Sequence, residues 1–195
     1  MLSAGNISLM KILLASNSPR RRELLAALSD DVTIAPSREV DENYPATIAP
    51  DEVAPYISAV KSEAYKDLAA ADTILVTADT VVICDGRILG KPADRAEAIA
   101  MLTLLSGRSH HVVTGVTLRR GDKSVTFAES TEVVFSQLNP GDIEHYVDCY
   151  RPYDKAGAYG IQEWIGYVGI ESIRGDYYNV MGLPLHRLYQ ALKGM

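Results

Sequence analysis

The chain of 195 residues is 47% hydrophobic and 23% charged; at that length one domain buries roughly 70% of its unfolded surface, and no run approaches the roughly 18 apolar residues of a membrane helix. A net charge of −6 argues against broad, charge-driven nucleic-acid binding, so any anion site must be built locally. Cys84 and Cys149 belong to no CxxC or Cys/His pattern, and the start reads as no signal peptide, which together predict a single cytoplasmic domain with reduced thiols, no nucleic-acid partner and no membrane contact.

Lys11 to Ala15 predicts a short strand, and Asn17-Ser18-Pro19 opens a helix with Ser18 as N-cap and Pro19 at the first helical position. Leu24, Leu25 and Leu28 give that helix an apolar stripe, and Val32 to Ala35 predicts a second strand. The polar segment Arg38 to Ala49 predicts a loop. From Pro50, the spacing of Val53, Ile57, Val60, Ala64 and Leu68 predicts a helix to near Ala70. Two β-branched runs follow, Thr73 to Thr77 and Val81 to Cys84, separated by Asp79-Thr80; Asp85-Gly86 then predicts a hairpin turn into Arg87 to Leu89.

Asp94 and Glu97 form an aspartate-based analogue of a capping box ahead of Ala98, Met101, Leu102 and Leu105, with Gly107 after the helix end. Ser109 to Arg119 and Ser124 to Phe135 predict strands joined by a hairpin at Gly121-Asp122. Asn139-Pro140 opens a helix to about Tyr150, Gly166 to Ile173 predicts a strand, and Pro184 to Leu192 a closing helix. Early alternation and central hairpins together predict an α/β or α+β fold on a mixed, twisted sheet.

Four constellations carry chemistry. Ser16 to Arg22 places Arg20, Arg21 and Arg22 in a first helical turn, where cations oppose the helix dipole unless an anion joins them; the same run also reads as a solvated basic turn. Asp79 lies between two apolar runs, a costly place for a carboxylate that is neither paired nor holding a metal, although a strand-end turn residue is the lesser alternative. Asp41-Glu42 adds acid in a loop. Lys91 sits in a stiff Gly-Lys-Pro turn and Lys61 on the second helix, which by itself reads as a solvated position. The run Tyr153 to Gln162 is rich in small residues and lets backbone approach a ligand, or is an ordinary turn. His110, His111, His145 and His186 show no metal spacing.

On Ala15-Ser16-Asn17-Ser18-Pro19-Arg20-Arg21, Asp41-Glu42, Ala78-Asp79-Thr80, Gly90-Lys91-Pro92, Leu105-Ser106-Gly107-Arg108 and Asn179-Val180-Met181-Gly182-Leu183-Pro184, the chain resembles the Maf family of nucleoside triphosphate pyrophosphatases. The likeness spans Lys11 to Leu192, leaving residues 1–9 as an extra amino-terminal segment. It implies an ITPase-like (Maf/Ham1) α/β domain, elongated, with a mixed sheet, two lobes around a cleft and often a homodimer. It implies Asp79 as general base and a Mg²⁺ or Mn²⁺ ion held by Glu42 and Asp79. Ser16, Arg20, Arg21, Lys61 and Lys91 fall on substrate-binding positions, and Arg20, Thr80 and Gln162 on positions linked to base choice. The Asp154 to Gln162 run resembles the branch acting on dTTP and UTP, including modified uridine triphosphates. Two other readings remain open at this level: a nucleotide-binding regulator of septum formation, and the same chemistry on another base, such as a methylated guanine or a cytosine triphosphate.

Overall fold

The computed structural model describes residues 10–195, so the expected extra segment 1–9 lies outside the described residues. Along the chain come β1 (Lys11–Leu14), α1 (Pro19–Ala26), β2 (Val32–Ile34), α2 (Pro50–Ala64), β3 (Thr73–Cys84), β4 (Arg87–Leu89) and α3 (Arg95–Leu105). β5 (Ser109–Arg120), β6 (Lys123–Phe135), α4 (Pro140–Tyr150), α5 (Trp164–Gly169), β7 (Ile170–Arg174), α6 (Tyr177–Met181) and α7 (Leu185–Lys193) complete it. The sheet order is β2-β1-β3-β5-β6-β7, with β4 paired to β3. β1 runs parallel to both β2 and β3, whereas β4 and β7 pair antiparallel. This is the expected mixed sheet of an α/β fold; the parallel pairs require the crossovers that α1 and α2 supply.

Contacts divide the chain into two compact units. One takes the described part of Met1–Asp79 with Thr114–Glu129 and Gly182–Met195; the other takes Thr80–Val113 and Ser130–Met181.

In the first unit, Ser18 caps α1 by accepting from the Arg21 amide, with Pro19 behind it as predicted. The helix predicted to reach Ala70 instead stops at Ala64, and Lys66–Leu68 forms a short 3-10 turn. The break falls at Tyr65, whose ring is buried and whose hydroxyl accepts from the Arg38 amide at 2.8 Å. The buried face of α2 is also rotated from the predicted stripe: Val53, Ala54, Ile57, Ser58 and Ser62 are inside, and Ala64 is exposed. Hydroxyls are tolerated there because they are paired. Ser58 Oγ lies 2.9 Å from Thr117 Oγ1, and Thr77 donates to the Ser58 carbonyl at 2.7 Å, so desolvation leaves no polar group unmatched. Gly115 on β5 meets α2 main chain to main chain: a Cβ there would stand 2.2 Å from the Pro55 nitrogen.

β3 is one continuous strand of 12 residues rather than two runs broken at Asp79-Thr80. The turn after it is as expected, with Asp85 and Gly86 at φ 48° and 73°, the left-handed pair a two-residue hairpin requires.

The core of the second unit gathers Val82, Leu102, Leu105, Val133, Phe135, Tyr146 and Ile165. Each large side chain removed from water there contributes about 1.5–3 kcal/mol. Asp94 caps α3 through the Glu97 amide at 2.9 Å, while Glu97 reaches back to the Ala93 amide at 2.7 Å, one residue beyond the usual box. Asn139 caps α4. The strand predicted from Gly166 begins only at Ile170, because Trp164–Gly169 is helical. Gly166 allows that turn to close: a Cβ would lie 1.8 Å from the Ile161 carbonyl oxygen. Local β propensity yields to this contact.

Candidate active site

In the first unit, β3 delivers Asp79 at its midpoint, where Ala78 before it is buried and Asp79 half-buried. The strand-end explanation of this acid is thereby removed. α2 delivers Lys61, whose Nζ lies 2.8 Å from Asp79 Oδ1 and 3.0 Å from Glu42 Oε1. The Lys61 and Asp79 side chains are each only 15% exposed, against 54% for Glu42. Lys61 is therefore not a solvated helix position: one ammonium bridges an acid from a strand and an acid from a loop.

Arg21 is tied into the same unit. Its Nε donates to the Gly182 carbonyl at 2.8 Å, and Nη1 donates to the Ala78 carbonyl at 2.9 Å and to Ser16 Oγ at 3.4 Å. Burial pushes this guanidinium down from its ordinary value; the charge of Asp79 opposes the shift, Arg20 adds to it, and Glu42 also opposes it. Ser16 further accepts from the Ser18 amide at 3.2 Å, which ties the turn before α1 to the helix start. Ser16, Arg20, Arg21, Glu42, Lys61 and Asp79 thus all belong to the first unit. The contacts of Arg21 with Ala78 and Gly182 could not be read from the sequence, since they use backbone carbonyls far along the chain.

Thr80, Lys91 and Gln162 belong to the second unit. Thr80 follows Asp79 on β3 and is half-buried. Lys91 is exposed, in a turn held where the Gly157 amide donates to the Gly90 carbonyl at 3.0 Å. Gln162 is half-buried, and its Oε1 is a buried acceptor with no hydrogen-bond partner. Leaving such an acceptor unmatched costs about 1–3 kcal/mol.

The residues sequence reasoning missed surround Gln162. Lys155 Nζ lies 2.8 Å from Asp154 Oδ1 and 3.1 Å from Glu163 Oε1, with only 9% of its side chain exposed. Tyr146 donates to Glu163 Oε2 and accepts from the Gly160 amide at 3.0 Å. The available signal was a lysine and a glutamate bracketing a segment of small residues. His110, expected to be structural or exposed, is buried, with Nε2 2.8 Å from the Tyr159 hydroxyl.

The Maf-like protein family model matches residues 11–195. The dTTP/UTP pyrophosphatase of Parabacteroides distasonis is 51% identical over 188 residues, covering 96% of this chain and 97% of that relative. The dTTP/UTP pyrophosphatase of Bacteroides thetaiotaomicron is 49% identical over 189 residues, covering 97% and 98%. Among solved structures, the Ham1 protein of Staphylococcus aureus matches in fold, with a TM-score of 0.56, 17% identity and coverage of 94% of this chain and 98% of that one. With a family match over nearly the whole length and half of all positions shared with curated relatives, the chain belongs to the Maf family.

Proposed function

We propose that the protein is a nucleoside triphosphate pyrophosphatase that hydrolyses dTTP and UTP, with modified uridine triphosphates, to the nucleoside monophosphate and pyrophosphate. The observation that carries the chemistry is the bridge of Glu42, Lys61 and Asp79, with Arg21 beside it; the substrate class rests on relatives that bear the name dTTP/UTP pyrophosphatase.

The substrate carries about four negative charges, so positioning and charge neutralisation dominate the barrier. Asp79 accepts the proton of the water that attacks the α phosphorus, and pyrophosphate leaves. Lys61, Arg20 and Lys91 supply positive charge to the phosphates. Arg21 holds the Ser16 turn against the Ala78 and Gly182 carbonyls and adds its charge at short range. Ser16 orients that turn.

Two carboxylates with oxygen donors, Glu42 and Asp79, fit a hard cation such as Mg²⁺ or Mn²⁺ that completes its shell with water and phosphate oxygens. When bound, the ion neutralises phosphate charge and polarises the phosphorus. Gln162, with Arg20 and Thr80, reads the base: its unmatched Oε1 accepts from the imide N–H of thymine or uracil, which cytosine lacks at the same ring position. The protein acts in the cytoplasm.

The test is pyrophosphate release with added Mg²⁺ across common, methylated and modified triphosphates. dTTP and UTP should be turned over fastest. Binding of dTTP without pyrophosphate release would overturn the proposal.

A further inference from the structure

Gln162 sits with an unmatched acceptor on its side chain. Nothing bonds its Oε1, so the position has to be imposed by neighbours. The residue after it, the half-buried Glu163, is the hub of a largely covered network. Its two carboxylate oxygens take Lys155 Nζ at 3.1 Å and the Tyr146 hydroxyl respectively. That hydroxyl in turn accepts from the Gly160 amide at 3.0 Å, two residues before Gln162. The Glu163 amide donates to the Gly160 carbonyl at 3.0 Å, closing the turn around residues 160–163. The Gln162 carbonyl is also held, since the Tyr167 hydroxyl donates to it at 2.7 Å.

Gly160 shows how tightly this is packed. A Cβ there would stand 2.8 Å from Glu163 Cδ and 3.1 Å from Lys155 Cε. Tyr146 is fully buried, stacked on Tyr150 at 5.0 Å. Burial, then the Glu163 carboxylate, holds its phenol well above the ordinary range, so it remains a donor to Glu163.

Building on the proposed dTTP/UTP activity, we infer that Tyr146, Lys155 and Glu163 are positioning residues for base choice: through Glu163 and the Gly160 amide they fix the turn that presents Gln162. None of the three touches substrate in this scheme. Their loss loosens Gln162, so a base that cannot donate to its Oε1 is rejected less strongly.

The experiment measures kcat/KM for UTP and for CTP on the same protein preparation, for wild type, Tyr146→Phe, Glu163→Gln and Gln162→Ala, and for Tyr146→Phe and Glu163→Gln each combined with Gln162→Ala. Using a ratio on one preparation cancels any loss of folded protein. The expected result is a fall of about tenfold in the UTP:CTP ratio for Tyr146→Phe and for Glu163→Gln, with no further fall when either is added to Gln162→Ala. If Tyr146→Phe yields no folded protein, Glu163→Gln carries the same comparison. A wild-type ratio retained in Glu163→Gln, or effects that multiply with Gln162→Ala, would overturn the positioning role alone. A wild-type enzyme with no preference for UTP, or no turnover, would overturn the proposed function and this inference with it.

Discussion

Lys61 in the first unit and Lys155 in the second repeat one arrangement: an ammonium between two carboxylates, one of them well exposed and one largely covered. They differ in how the groups arrive. Glu42, Lys61 and Asp79 come from a loop, a helix and a strand that lie far apart in the chain. Asp154, Lys155 and Glu163 come from one short segment, and a buried phenol and a backbone amide complete the network. The first is a converging set of charges suited to exchange partners with an anionic substrate. The second is closed on itself and suited to hold a shape.

That contrast breaks most sharply at Asp79. Asp79→Asn keeps the side-chain volume and removes a proton acceptor, so turnover should fall by about 10³-fold, within the usual range for a general base. Pyrophosphate release, read beside thermal unfolding, checks this; near-normal turnover in a folded variant would sink the assignment. Lys155→Met should do the reverse. It leaves the half-buried Glu163 beside a tyrosine without its cation and should cost about 3 kcal/mol of stability, seen in denaturant unfolding, while the folded fraction still cleaves substrate.

A smaller effect concerns pH. Burial, with a lesser contribution from His111, holds the His110 imidazole down at about 4 against an ordinary 6.5. As pH falls below 6.5 the unfolded chain takes the proton first, and the folded chain only near 4, so this stability is complete above 6.5 and is lost between those values. At pH 5 the loss is about 2 kcal/mol. In His110→Gln the drop in unfolding free energy from pH 7 to pH 5 should shrink by that amount; an unchanged drop would mean another group is responsible. The smallest expected change is in Lys91→Ala. It should raise KM for dTTP about tenfold with little change in kcat, as fits one phosphate contact, and an unaltered KM would remove Lys91 from substrate binding.

Legibility followed the range of the interactions. The Ser18-Pro19 and Asp94 caps and the Asp85-Gly86 turn were readable because each is settled within four residues. The end of α2 was not, since it depends on Tyr65 finding Arg38, and neither was α5, since it depends on a glycine meeting the Ile161 carbonyl. Residue types suggested Asp79 as unusual and left Lys61 looking ordinary. No spacing rule connects positions 42, 61 and 79, so their meeting was legible only through family resemblance. The support behind Gln162 stayed hidden even then, because Tyr146 reaches it from α4.

At Gly115 the strand and the helix that carries Lys61 touch through atoms common to every amino acid. Swapping side chains cannot lengthen such a joint; only adding one at that single position can. The depth at which α2 seats is therefore insulated from most of the drift a sequence undergoes, and an ammonium some two turns further along inherits a fixed address while the residues around it are at liberty to change.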